Sequence, residues 1–391
     1  MPSRRQKASV LLIVLVTIAF ASAALIAFME RADDDLIVPM RQTGANRMRG
    51  EAYAALETVL AVLVDFRAAN NNNLRHPAEG WDDPLHFDWV NYTPANPNRT
   101  VTVTFEDESG KMSLPASIAS GNGQNIANFF AFKGLPTEEA TLLKDSFLAW
   151  TTTYTPTASG ASDATIYQQD TIPFTPPRRS LRSWEELRSI DGVKDYFYDS
   201  NGALTELGKR FIGAFSLYNF PSSNVNGGKP DTLAVLANLD IDQQRAVLDY
   251  LHGGGAGTAS IPNLGYFTNA GQVGTLAGVL SPTAGLDVNI TALRINVTVK
   301  EGLAVYTLSA LVTWPGGATA TAAPAPPAQA TTPSNGTTVT TAPLTTPNLQ
   351  YPYTILDVTE NDLDPAEAAA KAASTEDETP GLNEPALTPT T

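Results

Sequence analysis

The chain of 391 residues has no cysteine, only three histidines (His76, His86 and His252), and 25 Lys and Arg against 40 Asp and Glu. Each shortage removes a class of function. Without cysteine there are no disulfides and no thiolate-held metals, and thiol chemistry says nothing about compartment. The formal charge of −15, with no basic cluster after the first residues, argues against a groove for phosphates, which needs clustered Lys and Arg. Nucleic acid is not an expected partner. No serine stands in a nucleophile-elbow setting, and Gly253-Gly254-Gly255-Ala256-Gly257 lacks the Lys that follows the glycines of a phosphate loop. His76 and His86 flank Trp81, Asp82 and Asp83, but so sparse a loop is more often structural than metal-binding. The chain reads as non-enzymatic.

What is present starts at the N-terminus. Arg4, Arg5 and Lys7 precede an uncharged run from Ser9 to Met29, and Glu30, Arg31, Asp33, Asp34 and Asp35 follow it. As a helix the run spans roughly 30 Å, one hydrocarbon core, and it has no polar face. Basic residues before it and acidic ones after it place the N-terminus in the cytoplasm and the bulk of the chain beyond the membrane. A secretory signal peptide cut near Ala21-Ser22-Ala23, an uncleaved signal anchor and a pilin-type leader all fit this pattern.

Pro39 is expected to kink or interrupt the helix. Beyond it Ala52, Ala55, Leu56, Val59, Leu60, Leu63 and Phe66 form one apolar stripe, ending before Asn70-Asn71-Asn72-Asn73. Thr100 to Phe105 alternates as a strand and runs into the acidic turn Glu106-Asp107-Glu108, expected to be solvated. Leu293 to Val299 and Leu303 to Val312 form a hairpin around Lys300-Glu301-Gly302. Between these strands lie helical patterns at Ile126 to Phe132, Thr137 to Thr151, Ser183 to Tyr198, Leu204 to Leu217 and Asp231 to His252. From Pro315 the chain is rich in Ala, Thr and Pro and then acidic, a composition that predicts disorder, although Tyr351 to Val358 is apolar enough to add an edge strand.

The fold class expected is therefore α+β: an N-terminal transmembrane and stem helix with a small pilin-like α/β domain, interrupted by a large, mostly α-helical insertion and followed by a disordered C-terminal tail. The corresponding divisions are a leader at 1–8, the transmembrane and stem helix at 9–69, the first part of the α/β domain at 70–114, the inserted domain at 115–260, the second part at 261–314 and the tail at 315–391.

Several segments together resemble the minor pseudopilin GspK of type II secretion. Arg4 to Leu15 is similar to the short basic leader and apolar start of pilins and pseudopilins. Phe105 to Leu114 resembles the family's strand and turn, Trp184 to Tyr198 its helix-turn-helix, and Asn224-Val225-Asn226 its Asn-rich turn before a helix. Glu79-Gly80-Trp81 and the late hairpin fall in the family's order, so that the resemblance covers roughly Arg4 to Trp314.

The resemblance implies cleavage by a prepilin peptidase between Ala8 and Ser9, where the family usually has Gly before the cut, and methylation of the new amine. It implies that the mature fifth residue, here Ile13, stands where other pilins carry the Glu that pairs with a neighbour's terminal amine. A subunit with no neighbour above it can dispense with that acid, and a bulky insertion is tolerated at a fibre end. The implied role is a non-enzymatic subunit at the pseudopilus tip, nucleating the fibre with minor pseudopilins of GspI and GspJ type on the inner-membrane secretion platform, for export across the outer membrane. The implied location is the inner membrane, single-pass, with the globular part periplasmic. Family members can bind calcium, for which Asp163 and Asp170 are the candidates here, a set too small for a tight site. No other cofactor is expected. The alternative is a membrane-anchored periplasmic binding or scaffolding protein with an uncleaved anchor.

Overall fold

The computed structural model describes residues 4–87, 89–154, 165–169, 173–255, 257–258, 260–320 and 352–361; the side chains of residues 4–14, 27, 30, 32–43 and 120–121 lie outside that description. Helix α1 (Arg4–Ala69) is followed by β1 (Arg99–Asp107), β2 (Met112–Ser113), α2 (Leu114–Gly121), α3 (Gln124–Phe132) and α4 (Thr137–Thr151). Next come α5 (Lys194–Phe197), α6 (Glu206–Ala214), β3 (Phe215–Ser216), β4 (Ser223–Asn224), α7 (Pro230–Leu236), α8 (Ile241–Leu251), α9 (Gly271–Ala277) and β5 (Leu286–Asp287). The hairpin β6 (Ala292–Glu301) and β7 (Ala304–Thr313) and the strand β8 (Thr354–Glu360) close the described chain.

The main sheet has the order β1-β6-β7-β8, antiparallel throughout. Its strands alternate with period two, so Leu293, Ile295, Val297 and Val299 of β6 and Tyr306, Leu308, Ala310 and Val312 of β7 share one core. The stripe Met48, Ala52, Ala55, Leu56, Val59, Leu60 and Leu63 of α1 belongs to the same core. These positions recur every three or four residues, which is why one helical face covers the sheet.

Pro39 does not interrupt α1, which is continuous for 66 residues. A proline removes one backbone bond, and the helical bonds on both sides of it carry the helix through. Residues 15, 16, 18, 20, 25, 26, 28 and 29 expose large apolar side chains. Among the described residues, no helix is long and apolar enough to cross a membrane.

The chain between the strands builds two further cores. One runs from Met112 to Phe215 and is centred on the mutually packed rings of Phe129, Phe130, Phe147, Phe197 and Phe211. The other gathers Val225, Leu233, Val247, Tyr250, Phe267, Val273, Leu286 and Val288. Ile261, Phe267, Val273, Leu286 and Val288 pack with the helices before them, and Ile290 belongs to the core of the sheet.

Two helical patterns divide, the first at the turn that its helix-turn-helix resemblance implies. Ser183 to Tyr198 becomes a 3-10 turn at Trp184–Ser189 and the short α5, because Gly192 takes φ +77° between them. Asp231 to His252 divides into α7 and α8, where Asn238 adopts φ +53° and Asp240 with Gln243 forms a reciprocal capping box that starts a new helix. The edge strand expected from Tyr351 to Val358 is present, displaced by two to three residues. Thr354–Glu360, inside the stretch assigned to disorder from Pro315, is strand β8, at the edge where Tyr351 to Val358 was expected to add one. Alternation lets β8 seat Val358 beside Ala310 of β7, and its last residue is anchored to α1. Residues 321–351 and 362–391 lie outside the described residues.

Candidate functional site

The arrangement with functional content is structural: it fixes a stem to a sheet and the sheet to its helical lobes. On one flank of α1, Glu51 is buried and accepts from the Tyr92 hydroxyl at 2.7 Å and from the Ala95 amide at 3.1 Å. Arg99 Nη1 lies 3.4 Å from Glu51, while its Nε donates to Glu301 at 2.8 Å. Glu301 holds the Arg99 guanidinium above its ordinary pKa. Burial, with Glu51 as second cause, pushes the Tyr92 phenol up. On the other flank Arg49 donates to Glu360 through Nε and Nη2 at 2.7–2.9 Å, and Tyr53 donates at 2.7 Å. These donors hold the Glu360 carboxyl down to about 2.

The sheet meets the lobes where two motifs distant in sequence come together. Asp107, at the end of β1, accepts from Asn224 Nδ2 at 2.7 Å and from Ser109 Oγ at 2.6 Å, and the same Ser109 Oγ accepts from the Thr291 amide. Burial pushes the Asp107 carboxyl up to about 7, against the opposing pull of Ser109, Asn224 and Lys229. The acidic turn is therefore not the solvated one expected. Glu108 is buried and takes Lys111 Nζ at 2.9 Å, so each acid has a partner inside the fold.

Backbone contact completes the joint. A Cβ built on Gly227 would stand 2.6 Å from the Cα of Gly110, closer than two chains carrying side chains can approach. Thr232 donates to the Gly110 carbonyl and Ser223 to the Lys111 carbonyl, each at 2.8 Å. Asn226 bridges outward, donating to the carbonyls of Phe267 and Val288 and accepting from the Phe267 amide.

Glu79-Gly80-Trp81 serves the same frame. Glu79 accepts from the backbone and guanidinium of Arg75, Gly80 turns the chain at φ +106°, and Trp81, fully buried, meets Phe105 edge-on at 5.0 Å. His76 caps the short turn after it and His86 pairs with Asp83, so both histidines flanking Trp81 have local structural roles. Ile190 and Val193 are buried, so the Ile190-Asp191-Gly192-Val193 turn inside the helix-turn-helix segment is a packing turn.

This architecture recurs in a solved structure. A chain of "The Crystal Structure of the GspK-GspI-GspJ complex from enterotoxigenic Escherichia coli Type 2 Secretion System" superposes with a TM-score of 0.50, covering 83% of this chain and 99% of that one. The fold is GspK-like. At 12% identity the likeness concerns the fold. Comparison with known families and with curated proteins finds no match.

The other expected site residues contribute no geometry. Ala8, Ser9 and Ile13 are on α1 with their side chains outside the described residues, as are Asp163 and Asp170 altogether. Among the described residues, no three His, Asp or Glu side chains come together to hold a metal. Sequence reasoning missed Glu51 and Glu360. A lone acid on the rim of an apolar helical stripe was the available signal for Glu51; Glu360 gave none.

Proposed function

We propose that this chain is a non-enzymatic minor pseudopilin that occupies the tip of a type II secretion pseudopilus. The observation that carries this reading is the GspK-like fold, a stem helix and small sheet bearing large helical lobes. Lobes of that size fit the end of a thin fibre and clash if repeated along it. Ile13 at the mature fifth position supports the same place, since a subunit with nothing above it needs no acid there. In this role the Ser9–Met29 run anchors the chain in the inner membrane, the globular part is periplasmic, and minor pseudopilins of GspI and GspJ type are the partners. Prepilin peptidase cuts after Ala8 and the new amine is methylated.

The test is N-terminal mass spectrometry of the protein recovered from membranes of cells with the native prepilin peptidase. A chain starting at a methylated Ser9 is expected. An intact Met1, or a start near Ala24, would remove the protein from the pilin class.

A further inference from the structure

One strand of the sheet is held unlike the others. We propose that the edge of β7 is an acceptor site for an extended peptide, that β8 is its resident and exchangeable ligand, and that a partner chain presenting a strand with a carboxylate at the Glu360 position can replace it. This goes beyond the tip role and does not depend on it.

The strand β8 pairs with β7 alone, with a register shift at Leu311/Val312, and none of its residues is buried. Ile355 is 45% and Val358 37% exposed. The connection from Thr313 to Thr354 is about 40 residues long, where adjacent antiparallel strands need a loop of roughly two to five. So long a closure weakens the advantage of an internal strand over one supplied from outside. Beyond its ladder with β7, β8 is held by Leu356 packed on Phe220, Ala292, Leu311 and Ala318, by an Arg294–Asp357 pair at 3.9 Å, and most closely at its end, by the Arg49 and Tyr53 bonds to Glu360 and two bonds between Thr307 and Asn361 at 2.8 and 3.0 Å.

These contacts define the ligand. Main-chain bonds along β7 supply general affinity, an apolar side chain at the Leu356 position packs beside Phe220, Ala292, Leu311 and Ala318, and the carboxylate answers Arg49. A partner strand replaces β8 rather than adding outside it. Antiparallel self-pairing of β8 about its middle residue would set Asp357 against Asp357, a like-charge contact that protects edges from association.

The probe is a fluorescent peptide of residues Pro352–Asn361, offered to the full chain carrying Glu360→Ala. Binding is expected, with a peptide carrying Glu360→Gln at least tenfold weaker, and with slowed hydrogen exchange in β7. Because the chain has no cysteine, Ser309→Cys with Thr359→Cys, register partners on β7 and β8, gives a single lock. Locked protein should refuse the peptide and regain binding on reduction. No binding, equal binding of the two peptides, or equal binding to locked and reduced protein would overturn the proposal. In the unmodified chain, β8 amides should exchange by local opening well before those of β6; exchange of β8 only on global unfolding would also overturn it.

Discussion

Asn224 Nδ2 donates to Asp107 Oδ2 at 2.7 Å across 117 residues of sequence, and this bond lies at the meeting of the sheet with its helical lobes. A carboxylate so enclosed is more easily protonated folded than unfolded. Its pKa rises from 3.8 to about 7, so its contribution to stability is fully present below about 3.8 and is lost as pH rises through 7. Asp107→Asn should flatten the fall in stability between about pH 4 and 7, by on the order of 2 kcal/mol. Urea midpoints across that range check it; an unchanged slope would place the titration elsewhere.

Gly227→Ala should destabilise by about 1–3 kcal/mol, because its Cβ would press on Gly110 Cα at 2.6 Å and on Asp107 Oδ2 at 3.0 Å. Gly213→Ala, inside α6 with nothing within 4 Å of the new methyl, is the control. It should be neutral or stabilising by up to about 1 kcal/mol. Thermal unfolding of the two variants separates a backbone contact from a general glycine effect.

Glu51→Ala leaves Tyr92, the Ala95 amide and part of Arg99 without their acceptor and should cost about 2–4 kcal/mol. Tyr92→Phe removes one of those bonds and should cost only about 0.5–1.5 kcal/mol. Comparable losses in chemical denaturation would mean that the carboxylate is not the centre of this cluster.

Removal of residues 321–391 deletes β8 along with the acidic composition around it. A lower melting temperature is expected, and an unchanged one would show that β8 adds nothing to the sheet. In the full chain Glu360, depressed from 4.5 to about 2, contributes stability present above 4.5 and lost as pH falls through about 2. Glu360→Gln should flatten that acid limb, read by circular dichroism between pH 2 and 5.

Legibility in the sequence followed how local the determining contacts are. The α1 stripe from Ala52 to Leu63, helix α4 and the β6–β7 hairpin depend on periodicity within one element, and they stand where the spacing put them. The turn at Gly192 was legible through the helix-turn-helix resemblance of Trp184 to Tyr198, whereas the division at Asn238 was missed because a single left-handed residue outweighs an otherwise helical pattern. Glu106-Asp107-Glu108 looked like a solvated turn because nothing nearby announces Asn224 as its partner. Local apolar content revealed β8 at Tyr351 to Val358 within a long Ala/Thr/Pro-rich and acidic stretch, but not its exact bounds or its Glu360 contact with α1.

Arg49 and Glu51 stand two residues apart on α1 and reach opposite borders of the sheet, one through Glu360 of β8 and the other through Arg99 of β1. A helix gripped on both sides at one level cannot roll about its own axis without breaking a grip. Torque applied to its N-terminal half is therefore delivered to the sheet as a whole and, through the Asp107 joint, to the lobes. Rotation of the N-terminal half of α1 and reorientation of the far end of the molecule become one motion.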